Sequence, residues 1–151
     1  MTSGGGPFLR SFCFALAAVL VFQLFYLGAQ PFAAGLFVPP WDAIAHFLFF
    51  SALTALVWTA TAGRMPFAVL AAVVVVGGLD ELHQGSVPGR VVDAADFLVD
   101  VSAATFTCAA MLLARRARGI RRAHVGASAR KITNWCPTPR RRRCDARGTA
   151  R

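Results

Sequence analysis

Two stretches of the chain, residues 12–29 and 44–61, each run for eighteen residues without Asp, Glu, Lys or Arg. A helix on the surface of a water-soluble core carries its apolar residues as a stripe, whereas these stretches are apolar on every side. Eighteen residues of helix extend about 27 Å, close to the thickness of bilayer hydrocarbon. The composition agrees, because 56% of the residues are apolar. The sequence therefore predicts an integral membrane protein.

Turn residues and charges divide the chain into four predicted spans, at about residues 12–29, 44–61, 67–82 and 94–114. Gln30-Pro31 ends the first span, Gly63-Arg64 ends the second and Arg115-Arg116 ends the fourth. The third stretch is uncharged for only thirteen residues before Asp80, which suits either a full crossing or a re-entrant segment. We favour a crossing, because four spans then agree with the charges. The predicted fold class is all-α, a membrane bundle of four transmembrane helices with a disordered basic C-terminal tail.

The net charge of +9 is distributed unevenly along the chain. Residues 1–114 contain three basic and six acidic residues, whereas residues 115–151 contain thirteen basic residues and Asp145. Basic residues collect on the cytoplasmic side of membrane spans, so we expect a multi-pass protein of the cell membrane with both termini in the cytoplasm. The expected domains are a membrane domain, residues 1–116, and a disordered cytoplasmic tail, residues 117–151.

The tail charge suits anionic lipid headgroups or RNA. We expect the bilayer as the partner and no nucleic acid. The tail residues Cys136, Cys144 and His124 match no known spacing of zinc ligands, and Cys13 and Cys108 fall within apolar spans. We therefore expect no disulfide framework, no metal and no cofactor.

In this topology nearly every ionisable residue outside the tail lies at the outer membrane surface. Asp42 and His46 are four residues apart and share a helix face. A carboxylate facing lipid costs roughly 2.5 kcal/mol or more, so Asp96 and Asp100 should face the bundle and pair with cations. We predict one polar network with eight members: Asp42, His46, Glu81, Gln84, Arg90, Asp93, Asp96 and Asp100.

Some of these residues also have structural interpretations, which the sequence leaves open. Asp42 and Asp93 suit the N-cap positions of the second and fourth helices, and Asp96 suits a capping arrangement with Asp93. Pro88-Gly89 fits the centre of a type II turn. His46 is equally compatible with a hydrogen-bonded packing role.

The same residues resemble the pattern of the VanZ family of small bacterial membrane proteins, over about residues 42–110. Residues 42–47, Asp-Ala-Ile-Ala-His-Phe, are similar to the family's Asp-Lys-x-x-His-Phe. Its later elements Glu-x-x-Gln, Pro-Gly-Arg, Asp and Asp-x-x-x-Asn are matched by Glu81 to Gln84, Pro88 to Arg90, Asp93, and Asp96 to Asp100. Ala43, Asp100 and Ala103 replace the usual Lys, Asn and Gly. The resemblance implies a cell-envelope protein, and the founding member is associated with resistance to the glycopeptide teicoplanin.

Three functions are compatible with this site. The first is non-catalytic binding of an envelope or lipid-linked component, such as a cell-wall precursor or glycolipid. The second is a membrane-embedded enzyme acting on a lipid or glycolipid headgroup, with Glu81 or Asp96 as base and His46 as acid–base partner. The third is a small proton-coupled transporter that uses the intramembrane carboxylates. We favour binding, because no nucleophile is recognisable.

A divalent metal held by His46, Glu81, His83 and Asp93 is an alternative that no ligand spacing supports. The catalytic candidates thus remain Glu81, His46 and Asp96, without a metal.

Overall fold

The computed structural model describes residues 6–30, 32, 40–90 and 92–135, with side chains as far as residue 121. These residues form four α-helices: α1 (Pro7–Gly28), α2 (Trp41–Ala60), α3 (Pro66–Gln84) and α4 (Ala94–Trp135). Pro7 and Pro66 occupy the first turns of α1 and α3, where the missing N–H of proline has no helical partner to lose. The described residues contain no strand, and the all-α prediction is confirmed.

Each helix contains a segment that is long and apolar enough to span a membrane: Pro7–Gly28, Trp41–Ala60, Pro66–Gln84 and Ala94–Arg121. These four segments match the four predicted spans. The third is a continuous helix of 19 residues, even though Asp80 and Glu81 lie near its end.

Many large apolar side chains point away from the helix contacts. Phe14 and Phe22 on α1, Phe67 on α3 and Phe106 on α4 are between 65% and 85% exposed. Water-soluble monomers rarely expose apolar surface on this scale. The helices therefore suit a bilayer environment and suggest a multi-pass membrane protein.

The expected disorder of residues 117–151 is not confirmed. The helix α4 continues to Trp135, because Ala, Arg and Lys dominate this segment and have high helix propensity. Residues 136–151 lie outside the described residues. The chain divides into two compact units, Met1–Leu113 and Ala114–Arg151, and all packing described below belongs to the first.

All four helices contribute to the core of the first unit. One cluster of buried residues contains Ala17, Phe50, Leu53, Val73, Ala103 and Ala104. A second contains Trp58, Val69 and Cys108. Ala103 and Ala104 are completely buried, and such small side chains allow helices to approach closely.

At one end of this unit, α1 and α2 are joined by a side chain and α2 turns tightly into α3. Arg10 Nε donates to the carbonyl of Ala60 at 2.9 Å, which satisfies a carbonyl in the last turn of α2. The Gly63 N–H donates to the Trp58 carbonyl at 2.9 Å. Because neighbouring helices run in opposite directions, the end of α1, the start of α2, the end of α3 and the start of α4 lie at the other end.

Gly63 is required by the turn between α2 and α3. Its φ is 62°, and a Cβ at this position would lie 2.8 Å from the Trp58 ring. We expect Gly63→Ala to lower the free energy of unfolding by about 2 kcal/mol, because alanine is strained at a positive φ and its Cβ overlaps the Trp58 ring. Denaturant titration in detergent measures this loss.

The matched control is Gly119→Ala. Gly119 lies within α4, and a Cβ there meets nothing within 4 Å. Helix propensity then makes this variant as stable as the parent or more stable. Equal stability of the two variants would contradict the role of Gly63.

Candidate functional site

The connection between α3 and α4 contains the predicted type II turn. The Arg90 N–H donates to the Val87 carbonyl at 3.1 Å across Pro88-Gly89, and Gly89 has a φ of 85°. This hydrogen bond and the positive φ of Gly89, the third residue, are characteristic of a type II turn, so the prediction is confirmed. The turn directs the chain back so that the start of α4 lies beside the end of α3.

Asp93 and Glu81 together organise the start of α4. The Ala95 N–H donates to Asp93 Oδ1 at 2.8 Å, which makes Asp93 the N-cap, as predicted. The Asp93 N–H donates to Glu81 Oε2 at 2.9 Å. In a capping box, the N–H of the N-cap residue donates to the side chain three residues later in the same helix, which in α4 is Asp96. Here α3 supplies the acceptor instead, so the carboxylate of Glu81 ties α3 to α4.

The interpretation of Asp42 as the N-cap of α2 is wrong. The helix begins at Trp41 after Pro40, and no side chain caps it. Asp42 therefore lies inside the first turn, where its negative charge interacts favourably with the helix dipole.

His46 contacts carboxylates on two helices. Its Nδ1 lies 3.0 Å from Asp100 Oδ1 on α4, and its Nε2 lies 3.9 Å from Asp42 Oδ1 on its own helix. The His46 side chain is 10% exposed and that of Asp100 is 1% exposed. The ring of Phe50 stacks on the imidazole with centroids 6.3 Å apart. The predicted pairing of His46 with an intramembrane carboxylate is therefore present.

A glycine on α3 makes room for Asp100. A Cβ on Gly77 would lie 3.2 Å from Asp100 Oδ2 and 3.3 Å from Asp100 Cβ. Because Gly77 has no side chain, α4 approaches α3 closely at this point. The carboxylate of Asp100 thereby reaches a position between α2 and α3.

Asp80 is a buried carboxylate outside the eight predicted members of the network. Gln84 Nε2 donates to Asp80 Oδ2 at 2.8 Å, and Asp80 and Gln84 are 1% and 4% exposed. The available signal was their spacing of four on α3, which places them on one face.

Arg90 and Asp96 do not join these contacts. Among the described residues, no carboxylate lies within 4.0 Å of the Arg90 guanidinium. Arg90 reaches towards α1 instead, and its Nη1 lies 3.9 Å from where a Cβ on Gly28 would stand. Asp96 is only partly buried. The predicted members thus fall into separate hydrogen-bonded groups, and Asp96 and Arg90 are linked to them by charge interactions over longer distances.

A pocket of about 380 Å³ lies between α1, α2 and α3 at this end. One wall is apolar and includes Leu20, Leu24, Leu27, Phe32 and Phe49. Polar side chains also line it: Gln23, Asp42, His46, Asp80, Gln84 and Arg90. Its volume is within the range of small-molecule sites, and its lining suits a ligand with an apolar and a polar part.

His46, Glu81 and Asp100 each offer a ligand atom for a metal, and these three atoms lie within 4.8 Å of one another. The group of metal ligands considered from the sequence contained His83 and Asp93 and lacked Asp100. The His83 ring packs edge-on against Phe25, with centroids 5.3 Å apart, and Asp93 caps α4. Of the catalytic candidates, His46 and Glu81 come together, whereas Asp96 is outside this group.

Comparisons with protein-family models, with curated proteins and with solved structures find no match to this chain.

His46→Ala should destabilise the protein by about 3 kcal/mol, because it leaves the Asp100 carboxylate buried without its partner. The double variant His46→Ala/Asp100→Asn should recover at least about 1 kcal/mol of this loss, since a neutral amide is cheaper to bury. Unfolding titrations of parent, single and double variants measure the coupling. A double variant less stable than His46→Ala would refute the predicted interaction.

Proposed function

We propose that the chain is a VanZ-like multi-pass protein of the bacterial cell membrane that binds an envelope or lipid-linked component. The observation that carries this proposal is the pocket between α1, α2 and α3, which joins an apolar wall to a polar end. A lipid-linked cell-wall precursor or a glycolipid has the matching two parts. Its hydrocarbon chain would contact the leucines of α1, and its headgroup would contact the polar side chains.

Arg90 is the residue best suited to recognise the headgroup. Its guanidinium lines the pocket, and no described carboxylate lies within 4.0 Å of it. A guanidinium presents several N–H donors that match a phosphate or carboxylate bidentately. Asp42 and Gln84 add groups for hydroxyl or amide partners. This combination favours an anionic headgroup that carries sugar or peptide groups.

The resemblance at residues 42–47 and 81–100 supports a link to glycopeptide resistance. A protein that binds or shields a cell-wall precursor would reduce the access of teicoplanin to its target. Expression of the chain in a susceptible bacterial host should therefore lower teicoplanin susceptibility.

The positive-inside rule supports a cytoplasmic location for both termini and an outward-facing pocket. Arg10 and Arg64 lie at the end of the first unit opposite the polar side chains, which agrees with this orientation.

We expect a membrane-impermeant maleimide to label Ser86→Cys in intact cells, because Ser86 is exposed in the connection between α3 and α4. Arg64→Cys, exposed at the opposite end, should be labelled only after the cells are permeabilised. The parent chain is the control, because it shows how much labelling comes from the native cysteines. Labelling of Arg64→Cys alone in intact cells would reverse the proposed orientation.

The second candidate is a membrane-embedded enzyme that acts on the same headgroup. It is favoured by the contact between His46 Nδ1 and Asp100 Oδ1, because a carboxylate that orients an imidazole is a common acid–base arrangement. His46 lines the pocket, so its ring is accessible to a bound headgroup.

Filling the pocket tests the proposal. Ala45 lines the pocket, whereas Ala52, on the same helix, is exposed and outside it. Ala45→Phe should weaken ligand binding about tenfold or more and abolish the gain in teicoplanin resistance, while Ala52→Phe retains both. Native mass spectrometry of the purified protein measures bound lipid, and broth dilution measures resistance at matched protein levels.

Arg90→Ala should likewise lose the bound anionic lipid, with Arg64→Ala as the control. Retention of lipid and of resistance by both Ala45→Phe and Arg90→Ala would eliminate the pocket as the binding site. Loss of lipid turnover in His46→Gln, with lipid still bound, would select the enzyme.

A further inference from the structure

We propose that His46, Glu81 and Asp100 bind one divalent transition-metal ion, with Zn²⁺ as the representative case. The three ligands come from α2, α3 and α4 and meet at the polar end of the first unit. This inference goes beyond the proposed function, because binding of an ion requires no lipid in the pocket.

The distances are compatible with coordination. The three ligand atoms lie within 4.8 Å of one another. A tetrahedral ion about 2.1 Å from each ligand holds these atoms about 3.4 Å apart. The difference is about 1.4 Å at most, which the three side-chain torsions of Glu81 can supply without movement of the helices.

Two buried oxygen atoms point to an ion at this place. Glu81 Oε1 and Asp100 Oδ2 have no hydrogen-bond partner within the described part of the chain, although their side chains are 4% and 1% exposed. Asp100 Oδ2 lies against Gly77, and Glu81 follows Gly77 by one helical turn on the same face of α3. Buried acceptors in proteins are normally paired. A single cation would satisfy both oxygens at once.

The second oxygen of Glu81 is already held, because Glu81 Oε2 accepts from the Asp93 N–H. An outer contact of this kind orients a carboxylate ligand in a metal site, so Glu81 Oε1 is the oxygen available to the ion. His46 Nδ1 lies 3.0 Å from Asp100 Oδ1, so the imidazole and the carboxylate already stand side by side, and the ion would replace the proton that they share.

Charge and donor type also favour a divalent transition metal. Two carboxylates balance a dipositive ion, and the nearby carboxylates of Asp42 and Asp80 add negative charge that further favours a cation. One imidazole nitrogen with two carboxylate oxygens suits Zn²⁺, Mn²⁺ or Fe²⁺, whereas Mg²⁺ and Ca²⁺ prefer oxygen alone.

Asp42 is a positioning residue in this site, because it orients the His46 imidazole. His46 Nδ1 faces Asp100, and Nε2 lies 3.9 Å from Asp42 Oδ1. When Nδ1 binds the ion, Nε2–H is left to donate towards Asp42. A carboxylate behind the second nitrogen commonly orients a metal-bound histidine.

The test uses the full chain purified in detergent, with Cys136→Ser and Cys144→Ser to remove the thiols of the tail. The protein is stripped with a chelator, and Zn²⁺ is then added in an isothermal titration. Elemental analysis after desalting gives the stoichiometry. We expect one Zn²⁺ per chain and at least about tenfold weaker binding in Glu81→Gln and in Asp100→Asn.

Two controls separate loss of a ligand from loss of the fold. Gln at position 81 keeps an oxygen that can accept from the Asp93 N–H, so α4 stays capped. Asp96→Asn removes a carboxylate of α4 that is outside the group, and it should bind Zn²⁺ like the parent. Replacement of Zn²⁺ by Co²⁺ should give a visible absorption spectrum that His46→Gln changes.

The proposal is overturned if the stripped parent binds no Zn²⁺ at one equivalent. It is equally overturned if Glu81→Gln and Asp100→Asn bind Zn²⁺ as tightly as Asp96→Asn. Neither lipid nor antibiotic is present in this titration, so its failure and the failure of the pocket proposal are distinguishable.

Discussion

Three carboxylates, those of Asp80, Glu81 and Asp100, are buried at one end of an apolar helical unit, each at most 4% exposed. A buried carboxylate is tolerated only when other groups compensate for the lost water. His46 on α2 compensates Asp100, and the N–H of Asp93, the N-cap residue of α4, compensates Glu81. These contacts connect α2 with α4 and α3 with α4. The position of α4, and with it the shape of the polar end, depends on them.

The features that were predictable from sequence follow from local rules. Four helices were predictable because long uncharged stretches have few alternatives to membrane helices. The cap at Asp93 and the turn at Pro88-Gly89 were predictable because each depends on a few adjacent residues. That His46 pairs with a carboxylate of α4 was predictable from the cost of a bare carboxylate in an apolar helix, and the structure identifies that carboxylate as Asp100.

The features that were missed depend on where whole helices begin or meet. Asp42 suits a cap by type, but α2 begins one residue before it. Arg90 was expected to pair with carboxylates, yet the turn directs it towards α1. The grouping of Glu81 with Asp100 arises from the packing of α3 on α4 at Gly77, and Asp80 is buried at the pocket between α1, α2 and α3. Residue spacing within one helix does not report such contacts.

The close approach of α3 and α4 at Gly77 also determines how long each acidic side chain must be. Glu81 spans the gap to the Asp93 N–H, and an aspartate there would be shorter by one methylene, about 1.5 Å. Asp100 occupies the narrow part, where its Oδ2 is already 3.2 Å from the Cβ position of Gly77. The two acids carry the same charge but are not interchangeable. Exchanging them would leave a gap at one helix contact and an overlap at the other.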